Sequence, residues 1–446
     1  MTKDPDRRRL TIDLVFYTGC LIFAIANTAI AEFYGYRVWA NFAVAGYGLA
    51  VVHTGWLTVA ARRGKRLPGA LGSRWIGIGA IGLFAMILPL GMLVIRRLTG
   101  VDWLVTPNSW AAQPEVWVIE RSAKLLLENG TPYVDVTALG RAAEVNDYTP
   151  YGPVMTVFGL PRALADTLFP AGATSAQPGG GPIAHALTDA RWMFALAAVA
   201  CVLLTLRLLK WPKIPVSAAQ LAVACPLTAL TWAVAGPDLA IAGLLVLSFA
   251  LATTGRAVLS GLVLALVVSA KLIVAPAVVV LGVLLITRRG PRALSGFAAA
   301  LVVTTLVLHI PVYLVDPKAF VEHVFRFPLG MGVIKSPAAS PLPGHLIASL
   351  GPVGTAISFA LLGIAAVAIL IWLVRRPPET GSDALMRMAV GLCALILLTP
   401  ATRYGYLVYP LVLLGARLAF QAAETRETAV PRKGTAPPAQ QSATSS

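Results

Sequence analysis

The sequence predicts an all-α, polytopic integral membrane protein with about twelve transmembrane helices. Three observations predict it. Of 446 residues, 57% are hydrophobic and only 13% charged, where a soluble domain carries roughly 25% charged residues. Apolar runs of about 18 or more residues recur along the chain. The mean hydropathy is +0.76. A backbone inside lipid must satisfy its own hydrogen bonds, so these runs read as helices. The alternating ten-residue pattern of an outer-membrane barrel is absent.

The charges order the crossings. A basic start, residues 1–9, precedes apolar runs at 10–30 and 38–60, separated by a polar turn at Tyr34-Gly35-Tyr36. The following cluster of Arg62, Arg63, Lys65, Arg66 and Arg74 belongs on the cytoplasmic side. A third run, 75–95, exits on the far side and completes an N-terminal region of residues 1–97. Arg96 and Arg97 stand at that exit and read as snorkelling to lipid headgroups, the alternative being that they hold an anionic ligand. A long segment, 98–170, follows. In it the apolar spacing of Val118, Ala123, Leu126 and Leu127 predicts a helix over 116–128, ended by Asn129-Gly130. A second short amphipathic helix is expected over 134–145.

The run 154–169 decides the topology of everything after it. If it does not span, then runs at 192–209, 216–235, 239–252, 258–270, 274–286, 294–312, 352–373, 389–398 and 407–420 alternate so that every later basic cluster lands inside. If it spans, every one lands outside. The first option is adopted. It places both termini in the cytoplasm of a plasma-membrane protein. The remaining helices then occupy 188–420, with an outer loop at 313–350, and a disordered tail follows at 421–446.

The net charge of +16 is read as topological. No basic region outside the apolar runs is long enough for a nucleic-acid-binding domain. The cysteines Cys20, Cys201, Cys225 and Cys393 lie inside apolar runs without CxxC spacing, which speaks against zinc or disulfides. The outer acids show no spacing of a dedicated metal site, so no metal or cofactor is expected. No internal repeat of the transporter kind is visible.

This topology gathers unusual residues on the outer face: Glu115, Glu120, Asp147, Tyr148, Asp238, Lys271, the loop with His323 and Arg326, and Arg403. Charges at membrane depth are costly and face cavities or partners. Their convergence implies one polar cavity that handles an anion and a polar group.

The order of several motifs is more specific. Glu115-Val-Trp-Val-Ile-Glu-Arg-Ser-Ala123, then Glu128-Asn-Gly-Thr-Pro-Tyr133, then Asp147-Tyr-Thr-Pro-Tyr-Gly-Pro153 resembles glycosyltransferase family 87 of the GT-C superfamily. Gly236-Pro237-Asp238, Ala270-Lys271 with Pro276, and Thr399-Pro400 are similar too, so the resemblance spans 113–420. The family includes polyprenol-phosphate-mannose-dependent mannosyltransferases of actinobacteria. This chain departs from it in carrying Glu115 where Asp is usual, and Arg403-Tyr404-Gly405-Tyr406 in place of a Trp- and His-bearing stretch.

The resemblance implies inverting transfer of a hexose, with mannose the commonest, from a polyprenyl-phosphate donor to a glycolipid or lipoglycan acceptor outside the membrane. That chemistry needs a carboxylate to accept the acceptor's proton and cations to hold the departing phosphate. Glu115 is the base candidate, against the plain reading that a carboxylate simply favours a helix N-terminus. Glu120 is its rival, or an ion-pair partner of Lys124. Arg403 and Lys271 are the phosphate-binding candidates. Asp238 either orients Lys271 or binds a sugar hydroxyl, and His323 and Arg326 could close over the donor. Tyr148 and Tyr151 are candidates for sugar stacking within an interfacial aromatic belt that includes Trp103, Trp110, Trp117 and Tyr133. A transporter or flippase, or a catalytically degenerate scaffold, would also need many helices and a polar cavity.

Overall fold

The computed structural model describes residues 5–65, 67–97, 110–168 and 181–429. The first part of the long outer segment, with Trp103, and the chain beyond 429 lie outside the described residues, as does Arg66. Among the described residues the regular structure is helical, with one isolated β-bridge between Ala339 and Thr402. Nine helices among the described residues are long and apolar enough to cross a membrane, and the bent pair Val216–Ala224 and Pro226–Val234 makes up to ten. The other two expected runs form the shorter helices Pro237–Thr253 and Ala257–Ala270.

Proline opens many of these helices. Pro114–Asn129, Pro226–Val234, Pro237–Thr253, Pro291–Val315 and Pro352–Arg375 all begin on one. The first turn has no intrahelical partner for its N–H groups, so the missing donor costs nothing there. Pro226 also breaks the membrane run at Cys225, which leaves the Ala224 carbonyl without its helical donor. The Tyr47 hydroxyl supplies one at 2.9 Å. In helix Trp75–Arg97 the π-helical turn Gly82–Ile87 does the same for the Ala85 carbonyl, which accepts from the Trp39 indole at 2.9 Å.

Helix Pro237–Thr253 is apolar all round and buried along most of its length, as befits the centre of a bundle. Sheathed by protein, it need not match the bilayer thickness, whereas Ala257–Ala270 is buried on one side and leaves Val258, Leu259 and Leu262 exposed. By contrast, Pro291–Val315 and Pro352–Arg375 leave Val303, Val307, Ile364 and Val367 exposed, which suits a lipid-facing surface. Helices Pro5–Ile30, Tyr34–Arg62 and Trp75–Arg97 build a second core with the bent pair, around Trp39, Ala43 and Tyr47. Inside this second core Asp13 is buried and takes two bonds from Arg74, at 2.6 and 2.8 Å, and one from Gln220 at 2.9 Å.

The segment that decides the topology does not form a helix long enough to be a candidate span. Residues 153–159 form a 3₁₀ turn and Leu160–Leu168 a helix of 9 residues, roughly 14 Å long. They lie against helix Pro114–Asn129, which ends at Gly130 as anticipated. The amphipathic helix expected over 134–145 is not formed. Asp135 instead accepts from the Thr137 amide at 2.9 Å and its hydroxyl at 2.6 Å, an Asx turn that competes with helix. At the other end of the chain, the last helix runs to Ala429, beyond the 421 boundary drawn for the tail.

Candidate active site

The site begins with the lead-in to helix Pro114–Asn129. The Gly35 amide donates to the Trp110 carbonyl at 2.9 Å, and the Gln113 amide to the Val234 carbonyl at 2.9 Å. Buried Arg191 donates to the Ala111 and Ala233 carbonyls at 3.0 and 3.2 Å. The Gln113 side chain meets the Tyr36 hydroxyl. Three separate parts of the chain thus fix where the helix starts, and Glu115 sits in its first turn.

Glu115 is ion-paired with Arg403. The bridge that joins Ala339 to Thr402 holds Arg403: the Thr402 amide donates to the Ala338 carbonyl and the Ser340 amide to the Thr402 carbonyl, both at 2.9 Å. Burial opposes the Arg403 charge, but Glu115 more than restores it, and the guanidinium pKa is raised.

A second pair lies close by. Lys271, between the helices Ala257–Ala270 and Ala277–Arg289, bonds to Asp238 in the first turn of Pro237–Thr253. Asp238 also accepts from the Tyr409 hydroxyl at 2.6 Å. The Lys271 ammonium faces the ring of Tyr406 at 4.6 Å and that of Tyr151 at 5.8 Å. Two glycines allow this approach. Gly236 has φ of +89°, which only glycine adopts at ease. A Cβ on Gly152 would come within 1.7 Å of the Ser269 carbonyl oxygen, so the chain after Tyr151 lies directly on the turn that carries Lys271.

Tyr151 connects the two pairs. Burial first, then the Glu115 and Asp238 carboxylates, push its phenol well above the usual value. The ring therefore stays a neutral wall and donor. Of the residues singled out in the sequence, the fold brings together Glu115, Arg403, Lys271, Asp238 and Tyr151. It adds Tyr406 and Tyr409, which read from the sequence as ordinary aromatics at the start of the last apolar run.

The others lie elsewhere. Glu120 is buried and does not pair with Lys124, which bonds Glu128 instead at 3.8 Å. Glu120 takes Arg97 at both oxygens and the Ala190 amide at 3.0 Å. Arg97 also donates to Asp189 at 2.8 Å, so it does not snorkel; it closes a buried charge network that the sequence did not foreshadow. The signal was the pair Asp189 and Arg191 at the head of an apolar run, where two charges make sense only with partners.

His323 is fully buried and fixed in one tautomer. The Thr149 amide donates to its Nδ1 at 2.8 Å, so Nε2 carries the proton and meets the Val134 carbonyl at 2.8 Å. Burial pushes the imidazole down to about 4. With both nitrogens engaged, it pins the loop after helix Pro291–Val315 and has no free atom with which to close over a donor. Tyr148 is similarly committed. It stacks on Phe327 at 4.0 Å and donates to Glu322 at 2.9 Å, and burial followed by that carboxylate pushes its phenol up to about 12. Its ring faces protein, so it is not placed for sugar stacking. Arg326 pairs with Glu322 at 3.3 Å on the exposed side of the same loop. Asp147 is held by Arg141 at 2.6 Å.

The described residues contain no group of three or more His, Cys, Asp or Glu able to hold a metal ion. The pairs converge instead into two acids, two cations and a tyrosine wall, which can accept a proton and bind an anion at adjacent points. No curated protein matches the chain at a significant level. A family model described as Glycosyltransferase family 87 matches residues 148–400. Tyr151, Asp238 and Lys271 fall inside the matched stretch; Glu115, Arg403, Tyr406 and Tyr409 lie outside it.

Proposed function

The chain belongs to glycosyltransferase family 87 and is a membrane glycosyltransferase, and on that premise we propose that it moves a hexose, mannose first among candidates, from a polyprenyl-phosphate donor to a glycolipid or lipoglycan hydroxyl at the extracytoplasmic face. The observation that carries the proposal is the pairing of Glu115 with Arg403, residues 288 positions apart, beside Lys271 and Asp238.

The pairing gives a sequence of events. With no donor bound, Arg403 neutralises Glu115 and the base is masked. The donor's phosphodiester competes for the guanidinium, whose planar fork suits phosphate oxygens. Arg403 then turns to the phosphate, and Glu115 is freed to accept the acceptor's proton. The acceptor oxygen bonds to the anomeric carbon as the bond from that carbon to the phosphate oxygen breaks. The electron pair leaves on the lipid phosphate, which Arg403 and Lys271 stabilise. Attack opposite the leaving group inverts the anomeric centre. The Tyr151 and Tyr406 rings offer faces for the sugar.

A second reading gives the base role to Asp238, because it lies within the family-matched stretch and Glu115 does not. Membranes supplied with radiolabelled polyprenyl-phosphate mannose separate the readings. Glu115→Gln is expected to lose at least about a hundredfold in transfer at normal protein level, while Asp238→Asn raises KM for the donor through its effect on Lys271. If Glu115→Gln transfers at full rate and Asp238→Asn does not, the base is Asp238. Label that crosses the bilayer unchanged would instead indicate a transporter, and no movement of label a scaffold.

A further inference from the structure

Three helices lead from the site to a second charged feature. Pro237–Thr253, Ala257–Ala270 and Val408–Ala429 carry Asp238, the approach to Lys271, and Tyr409 at one end. At their other ends stand Thr253, Arg256 and Glu424, which line a crevice of about 970 Å³. A helix rises 1.5 Å per residue, so the crevice lies roughly 20 Å from Asp238 along the helix axis. It is the larger of the cavities described and is separate from the transfer site.

Its lining has two characters. Arg207, Lys210, Arg256, Arg288 and Arg289 face it, against the carboxylates Glu379 and Glu424. Glu424 is already engaged, taking the Ser382 amide at 3.0 Å and hydroxyl at 2.6 Å. Arg289 donates to the Thr253 carbonyl at 2.9 Å and Arg256 to the Thr254 hydroxyl at 3.1 Å, so backbone and side chain hold these two guanidiniums on the rim. The walls below are apolar, formed by Leu247, Leu251 and Val263. A second groove of about 510 Å³ shares Arg256, Leu259 and Arg289 with the first and continues past Val258, Ala293 and Gly296.

A cationic rim over apolar walls, opening into an apolar groove, is complementary to an anion that carries a hydrocarbon chain. A free phosphate has no use for the second groove, and a zwitterionic lipid has none for the excess of cations. Basic pockets between membrane helices bind anionic headgroups on these grounds. We propose that this crevice binds an anionic phospholipid, its phosphate among Arg207, Arg256, Arg288 and Arg289 and an acyl chain along Val258, Leu259 and Gly296.

The test is native mass spectrometry of the full chain released from detergent micelles containing equal phosphatidylglycerol and phosphatidylcholine. The wild type is expected to retain phosphatidylglycerol at least about tenfold over phosphatidylcholine. Arg207→Ala/Arg256→Ala/Arg288→Ala is expected to abolish that preference, while Arg62→Ala/Arg63→Ala/Lys65→Ala, which removes the same charge elsewhere, keeps it. Leu259→Trp, at a half-exposed position common to both grooves, is expected to lose the lipid with every charge intact, and serves alone if the triple arginine variant does not fold. The proposal is overturned if the wild type shows no preference, if both triple variants lose the lipid equally, if Leu259→Trp binds normally, or if millimolar inorganic phosphate displaces the lipid.

Discussion

At the scale of single residues, burial separates the charges proposed to serve chemistry from those that serve architecture. Glu115 and Arg403 remain partly accessible, with side-chain exposures of 21% and 37%, whereas Glu120 and Arg97 are exposed by 5% and 7%. A reactive pair must admit substrate, and a structural pair must exclude water. Arg97→Met is therefore expected to leave buried Glu120 only the more distant Arg162, at 3.8 Å, while Asp189 keeps Arg191, and to destabilise the fold by about 3 kcal/mol. Thermal unfolding in detergent and the protein level in membranes check this. Arg403→Lys should fold normally, because the charge stays, yet raise KM for the donor at least about tenfold, because an ammonium lacks the planar fork. Donor-saturation curves in membranes decide it.

At the scale of elements, His323 pins the loop that follows helix Pro291–Val315 to the segment before residue 153. Its neutral ring accepts from Thr149 and donates to Val134. Its folded pKa of about 4 lies below the ordinary 6.5. Between these values the unfolded loop binds a proton that the folded loop rejects, so stability is fully present above pH 6.5 and is lost as pH falls toward 4. Hydrogen exchange over residues 317–342 should accelerate across that window. A His323→Gln chain, which lacks the titration, should show little dependence on pH in the same range. The element that carries Lys271 depends on Gly152. Its replacement by Ala would force a Cβ to 1.7 Å from the Ser269 oxygen, and Gly152→Ala should lose transfer together with the ordered packing of 153–159, seen as faster proteolysis there.

At the scale of the whole molecule, the question is which side of the membrane each end of the bundle occupies. The Glu115 cluster and the basic crevice lie at opposite ends of the same helices, so they should lie near opposite faces. With the native cysteines replaced by alanine, a cysteine at exposed Thr137 is expected to react with an impermeant thiol reagent on intact cells. One at exposed Thr287 should react only after permeabilisation. The reverse pattern would place the transfer site inside and end the proposal of an extracytoplasmic acceptor.

Much of the architecture is legible in one dimension. Hydropathy marks the membrane runs because lipid leaves a backbone no alternative to helix, and the placement of lysine and arginine orders them. Charge alone argues that 154–169 does not cross, and the short helix Leu160–Leu168 agrees with that in length. Tyr151 and Lys271 were noticeable because aromatics and cations are conspicuous in apolar surroundings. What the tertiary structure alone decided is which charges meet. Glu115 chooses Arg403 over cations nearer in sequence, Glu120 chooses Arg97 and Arg162 over Lys124, and His323 spends both nitrogens on the backbone of Thr149 and Val134. Pattern along a chain records which solvent each segment lives in, since every residue of a segment contributes to that. A pairing between two single side chains hundreds of positions apart depends on how helices cross in space, and no local period carries that information.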